Sequence, residues 1–420
     1  AERHGAKLYL SDEGADEGWA SNWAKDSNYD VTFLRDGDSF TIGAIDVTAV
    51  HTPGHTPEHV SFVVVDRGGG ATTPIGIATG DFVFVGDLGR PDLLEQAAGM
   101  HGVQEDSART LFQSLPKFQG LGDELQVWPA HGAGSTCGKA LGAVPMTTVG
   151  YEKRYNASLA AAAGGEEAFV DAILSGQPEP QMDFARMKRD NRDGVPLLGG
   201  LPRPPHLTVL EFARMVEDES TLIVDTHLDR SGFMARHVPG ALYAPMNKAV
   251  NTVVGSLVID ETRPLVLVVE EGKLEEGIRD LVRIGYDNVV GYLTPEGLDR
   301  YFEEGHPSAS IPELAFDELD VALREEAVAA LDVRFASEFV EGHVPGAVNA
   351  SYTRLPAYLE DRVPRGKTLL VHCATGARAA AACAFLAREG YDVRYVNGSI
   401  ADYADSHTTA TGPAEEPALV

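Results

Sequence analysis

With 420 residues, 63 acidic against 34 basic side chains and a formal charge of −29, the chain is long enough for two to four domains and too acidic to favour nucleic acid or an anionic membrane as partner. Three cysteines give no disulfide framework, which points to a reducing, cytoplasmic setting, and no apolar run approaches the ~18 residues of a membrane span. The same charge repels anionic small molecules at long range, so their capture falls to local arginines.

In chain order, Ala1–Lys7 reads as a last helical turn before a strand at Leu8–Leu10. Three further apolar strands, Ile45–Val50, Ile75–Ala78 and Leu125–Trp128, each run into a polar loop: His51-Thr52-Pro53-Gly54-His55-Thr56, Thr79-Gly80-Asp81 and Pro129-Ala130-His131. Each loop puts a candidate metal ligand just past a strand end. Two histidines and one carboxylate on one face describe a non-haem iron site with open positions. A lone histidine is more often structural, so the three loops together carry the reading. The glycine-rich turn Gly132 to Lys139 then places Cys137 after His131. That thiol is either an acceptor for sulfane sulfur beside the metal or a small residue in a tight turn.

These loops, in this order, resemble the metallo-β-lactamase fold. The segment from Thr79-Gly80-Asp81 to Gly86-Asp87-Leu88-Gly89-Arg90-Pro91-Asp92 is most similar to the persulfide dioxygenases of that superfamily. The resemblance implies one Fe(II), with zinc as the alternative, and oxidation by O2 of a low-molecular-weight thiol persulfide, glutathione or similar, to sulfite. It implies His55 and Asp81 as metal ligands, with His131 behind them or near the substrate and Cys137 close by. Arg90 and Asp92 would brace the loop by an ion pair. Asp87 is a rival to Asp81 that falls inside the turn, and His51 and His59 match no ligand position. The family's first ligand motif, His-x-His-x-Asp-His, does not occur in the 420 residues and would fall before Ala1. The expectation is a sequence lacking its N-terminal part, with two of three protein ligands and weak metal binding.

Tyr151–Asp193 reads as helical, broken at Gln177-Pro178-Glu179-Pro180, and closes a first domain over residues 1–197. Leu198-Gly199-Gly200-Leu201-Pro202-Arg203-Pro204-Pro205 is a linker, since clustered Pro and Gly resist both helix and sheet. Beyond it the chain repeats. Asp225 and His237-Val238-Pro239-Gly240-Ala241 recur as Asp332 and His343-Val344-Pro345-Gly346-Ala347, and Gly285-Tyr286-Asp287 recurs as Gly390-Tyr391-Asp392. Three landmarks in step read as two copies of one domain, residues 203–306 and 313–405, separated at Gly305-His306-Pro307. Strands at Thr221–Asp225, Leu265–Val269, Ala327–Asp332 and Thr368–His372 alternate with helical segments, which implies parallel sheets covered by helices. The tail 406–420 reads as unstructured.

The second copy holds the loop Cys373-Ala374-Thr375-Gly376-Ala377-Arg378 between the strand Thr368–His372 and an alanine-rich helix from Ala379 to Arg388. A strand-loop-helix turn aims backbone N–H groups and the positive end of a helix dipole at its contents, and a cysteine there favours the thiolate. Cys383, inside the apolar helix, reads as core packing. The loop resembles that of the rhodanese sulfurtransferases: four residues separate Cys373 from Arg378, where the related cysteine phosphatases have five. The resemblance implies Cys373 as the carrier of a persulfide, with the amides of Ala374, Thr375, Gly376 and Ala377 and the Arg378 guanidinium stabilising it. Asp332 and Arg334 read as a structural pair near the loop, and His343, whose twin His237 lies in the other copy, as a turn residue. At the matching place the first copy has Val269-Glu270-Glu271-Gly272-Lys273 and holds no cysteine, so it cannot carry sulfur.

The fold class expected is therefore α/β and α+β multidomain: an incomplete metallo-β-lactamase αββα sandwich followed by two rhodanese-like α/β domains with parallel sheets. The function expected is oxidation of a thiol persulfide coupled to sulfur transfer with thiosulfate or sulfite. A glyoxalase-II-like thioester hydrolase and a rhodanese on a non-catalytic scaffold are the alternatives, and a homo-oligomer is left open.

Overall fold

The structure is a computed structural model that describes residues 1, 3–14, 22–25, 27–96, 102–133, 135, 137–139 and 141–412. The chain forms two units, Ala1–Pro180 with Phe184–Pro196, and Gln181–Asp183 with Leu197–Val420. In the first, Leu8–Ser11 (β1) and Val31–Leu34 (β2) pair in parallel. Ser39–Ile42 (β3), Ile45–His51 (β4), Val60–Asp66 (β5), Gly76–Gly80 (β6), Gln126–Pro129 (β7) and Thr147–Thr148 (β8) form a mixed sheet in that order. Neighbours from β3 to β6 are antiparallel, and β6 and β7 are parallel. The C-terminal ends of β4, β6 and β7 therefore leave the same edge of the sheet, so three loops far apart in sequence converge there. Helix α1 (Gln104–Gln119) buries Leu111, Leu115 and Phe118 against Ile77, Phe82 and Val127 of the sheet side. Its acidic first turn, Glu105 and Asp106, and its late Lys117 complement the helix dipole. Helix α2 (Phe184–Asp193) is the last helix of this unit.

The second unit holds two all-parallel sheets. Leu222–Asp225 (β9), Leu242–Tyr243 (β10), Leu265–Val268 (β11) and Val289–Leu293 (β12) lie in the order β10-β9-β11-β12. Glu313–Ala315 (β13), Val328–Asp332 (β14), Val348–Asn349 (β15), Thr368–His372 (β16) and Val393–Asn397 (β17) lie in the order β13-β17-β16-β14-β15. β9 and β11 are buried along their whole length, as strands covered on both faces must be. The registers overlay the two copies. Val268 pairs opposite Asp225 and His372 opposite Asp332, so Val269 stands in the first sheet where Cys373 stands in the second.

Helices α3 (Arg230–Ala235) and α4 (Ala336–Glu341) follow β9 and β14 and end alike. His237 Nδ1 bonds the Phe233 carbonyl at 2.8 Å and its ring stacks on Phe233, and His343 does the same with Phe339 at 2.8 Å. Both histidines hold a turn. Helix α5 (Ala377–Arg388) buries Ala379 to Leu386 without a gap, which only small and apolar side chains permit.

The second unit contains both parallel sheets, one per copy of the repeat, with α5 packed on β10 of the other sheet. Two sequence expectations change. Gln181–Asp183 also belong to the second unit, the Asp183 N–H donating to the Gly255 carbonyl at 3.0 Å, inside the stretch expected to end the first domain. The tail is ordered further than its composition implies: a helix runs Ile400–Ser406, and Ala410 exchanges two backbone hydrogen bonds with His343, both 2.9 Å. A backbone edge at His343 gives that polar segment partners its side chains could not. Residues 413–420, and Gly134 and Thr136 of the glycine-rich turn, lie outside the described residues. Among the described residues no helix is long and apolar enough to cross a membrane.

Candidate functional site

The converging loops of the first unit line a cavity of about 390 Å³ that His55, His59, Asp81, His131, Cys137 and Lys188 face. His55 is 6% exposed. Its Nδ1 bonds the Arg90 carbonyl at 2.9 Å, so that nitrogen carries the proton and Nε2 is left bare. A histidine held this way has its tautomer fixed, the state in which the other ring nitrogen is able to accept. Its bare Nε2 receives a hydrogen bond from the Lys188 ammonium at 2.9 Å. Burial first, then the Lys188 charge, pushes the His55 imidazole down to about 3, and burial pushes His59 down to about 4. His59 accepts the Asp81 backbone N–H at 2.9 Å and fixes the loop that carries the carboxylate. Gly89 has to be glycine, because a Cβ there would collide with the Asp81 carbonyl.

Asp81 Oδ1 lies 3.0 Å from His131 Nε2 as an ion pair and, among the described residues, is buried with no hydrogen bond of good geometry. Burial raises the Asp81 carboxyl, and the His131 and His55 imidazoles outweigh it and leave the group below its ordinary value. The Asp81 carboxylate, with the Cys137 thiol behind it, pushes His131 up to about 10. Donor atoms of Asp81, His131 and Cys137 all lie within 4.8 Å of one another. An orphaned buried carboxylate oxygen beside imidazole and thiol fits a divalent cation. Among the described residues this triad is a group of three that meets the spacing of a shared ion, and His55 lines the same cavity. Arg90 pairs with Asp92 at 2.6 Å, with both side chains buried. Asp87 points away, accepting from Ser158 and Lys139.

In the second unit, Cys373 is 1% exposed and its Sγ accepts the Gly376 N–H at 3.2 Å and the Ala379 N–H at 3.4 Å. Gly376 makes this ring possible. Its φ of +87° favours glycine, and a Cβ there would lie 2.6 Å from Tyr395 Oη. Ala374 is tied by its carbonyl to the Ile400 N–H at 3.1 Å. Arg378 does not face the sulfur as a free cation: its two terminal nitrogens bond both oxygens of Glu338, at 2.5 and 2.7 Å. Burial raises the Glu338 carboxyl, but Arg378 overrides it and holds it below its ordinary value. Asp332 and Arg334 form a buried pair at 2.6 Å, and Arg334 also donates to the Gly342 carbonyl. In the first copy Val269, Glu270 and Lys273 border a cavity of about 160 Å³ in which His227 pairs with Asp225.

Residues 315–406 match the family model described as a rhodanese-like domain. The crystal structure of a metallo-beta-lactamase from Staphylococcus aureus subsp. aureus COL is 34% identical, covers 70% of this chain and 79% of that chain, and superposes with a TM-score of 0.61. The chain belongs to the metallo-β-lactamase family. The chain is also 34% identical over 127 residues to an uncharacterised protein of Mycobacterium leprae, 30% of this chain and 45% of that one. A hydroxyacylglutathione hydrolase of Synechocystis sp. is 32% identical over 101 residues, 24% of this chain and 34% of the relative. The matched stretches thus span under half the length of these curated relatives. Metallo-β-lactamase-family folds are metal-dependent, and the donor set above fits that chemistry. Sequence reasoning missed Lys188, which sits among the charged residues of α2. It also gave no role to His59, whose hydrogen bond to a backbone amide leaves no mark in a sequence.

Proposed function

We propose that the chain is a sulfur-handling enzyme in which Cys373 carries sulfane sulfur as a persulfide and the metallo-β-lactamase unit oxidises a thiol persulfide to sulfite. The observation that carries the reading is the pair of amides on the Cys373 sulfur, which is the arrangement that steadies an anionic sulfur atom. With thiosulfate as donor, the Cys373 thiolate attacks the outer sulfur. The new S–S bond forms as the old one breaks, and sulfite leaves with the bonding pair. A thiol or cyanide then takes the outer sulfur and returns the thiolate. The bond of Glu338 to Arg378 ties α4 to the first turn of α5 and so holds the loop in shape.

In the first unit His55 and Asp81 would hold the metal. When bound it supplies Lewis acidity and, as iron, activation of dioxygen. The chain's own part is to present a proton-free His55 Nε2 and to aim His131 and Cys137 into the same cavity. Thiosulfate:cyanide sulfurtransfer tests the carrier role: Cys373→Ser should abolish it and Cys383→Ser should leave it. Transfer that survives Cys373→Ser refutes the reading. The Asp81–His131–Cys137 grouping and the similarity to a hydroxyacylglutathione hydrolase favour a thioester hydrolase as second reading. Zinc at two equivalents with thioester cleavage would support it, and one iron with O2 uptake on glutathione persulfide would support the first.

A further inference from the structure

We propose that Arg230, contributed by the copy without a cysteine, is the anion-binding arginine of the Cys373 site. The inference rests on the sulfurtransferase reading and adds to it a residue, from the other copy of the repeat, that holds the donor's oxyanion group. Arg378 is taken up by a bidentate bond to Glu338, and the molecule carries a net charge of −29. An anionic donor therefore needs another cation at the loop. Arg230 supplies it. A Cβ built on Gly376, the residue whose N–H bonds the Cys373 sulfur, would lie 3.4 Å from the Arg230 guanidinium carbon. The guanidinium thus packs in van der Waals contact with the loop at Gly376.

Among the described residues no carboxylate lies within ion-pair distance of Arg230. Glu313 Oε1 accepts from Asn397 Nδ2 at 2.7 Å and from the Ser231 hydroxyl at 3.2 Å. Those bonds, with Asn397 donating to Ser231 at 3.3 Å, stitch α3 to β13 and β17 and fix the backbone that carries Arg230. Arg230 is half-buried, so part of it meets solvent at the loop. A planar guanidinium with parallel donors matches the oxygens of a sulfonate-like group. It would grip thiosulfate by the oxygens that depart as sulfite while the outer sulfur reaches Cys373.

Ping-pong kinetics of the full chain separate the two half-reactions. In Arg230→Gln the KM for thiosulfate should rise fivefold or more, while kcat/KM for cyanide, mostly the neutral acid at neutral pH, stays within twofold. Arg230→Lys should recover part of the thiosulfate KM, since it keeps the charge and loses the fork. A thiosulfate KM raised less than fivefold, or equal losses in both half-reactions, overturns the proposal. Either result with a wild type whose transfer depends on Cys373 leaves the carrier reading standing, whereas transfer that ignores Cys373 removes both.

Discussion

His372 precedes Cys373 and is fully buried, and among the described residues neither ring nitrogen has a hydrogen-bond partner. Burial first, and then the Arg334 charge, hold its imidazole below the ordinary value against the pull of Asp332. The unfolded chain therefore binds this proton before the folded one does. The stability it confers is whole above pH ~6.5 and is lost as pH falls from there toward the lowered folded value, at up to about 1.4 kcal/mol per pH unit. The first copy has Val268 at the matching register position. Replacing His372→Val should flatten the decline of second-unit stability between pH 7 and 5 in urea unfolding, and an unchanged slope would deny His372 this part. The Arg378–Glu338 pair has side chains 21% and 32% exposed. Screening limits it, and Glu338→Gln should cost about 1 kcal/mol in thermal melts and lower sulfurtransfer several-fold by loosening the loop.

At the scale of elements, the strand-loop-helix carrying Cys373 was legible because an apolar run, a glycine-bearing loop and an alanine-rich helix are each strong local signals. The three N-terminal loops were legible for the same reason, and the sheet order explains why they meet. What could not be read were partners supplied from elsewhere: Lys188 from α2, Arg230 from α3, and the His343 edge that orders Ala410. None of these lies near its target in the chain, and each comes from a polar stretch whose composition suits solvent equally well. Gly376→Ala tests the loop as a unit. A left-handed backbone and the crowding by Tyr395 Oη and Asn397 make the substitution cost about 1–2 kcal/mol or more. Calorimetry should record that loss together with lost sulfurtransfer, and an alanine variant of full stability and activity would mean the ring is not built as described.

Over the whole molecule, the repeat was visible in the recurrence of His237-Val238-Pro239-Gly240-Ala241, while the joining of its two sheets into one unit was not, because packing between covered sheets has no sequence period. With Val269 at the matching position the first copy has no cysteine there. On the proposed function, metal and sulfur chemistry reside in different units. Asp81→Asn should abolish stoichiometric metal uptake by elemental analysis and leave Cys373-dependent thiosulfate:cyanide transfer within twofold. Parallel loss of both would contradict that division.

The carrier role of Cys373 is tested most directly by intact-mass spectrometry after incubation with thiosulfate. The account predicts one added sulfur atom, mapped to Cys373, removed by cyanide and absent from Cys373→Ser. No adduct, or one that maps to Cys137 or Cys383 and persists in Cys373→Ser, would contradict it.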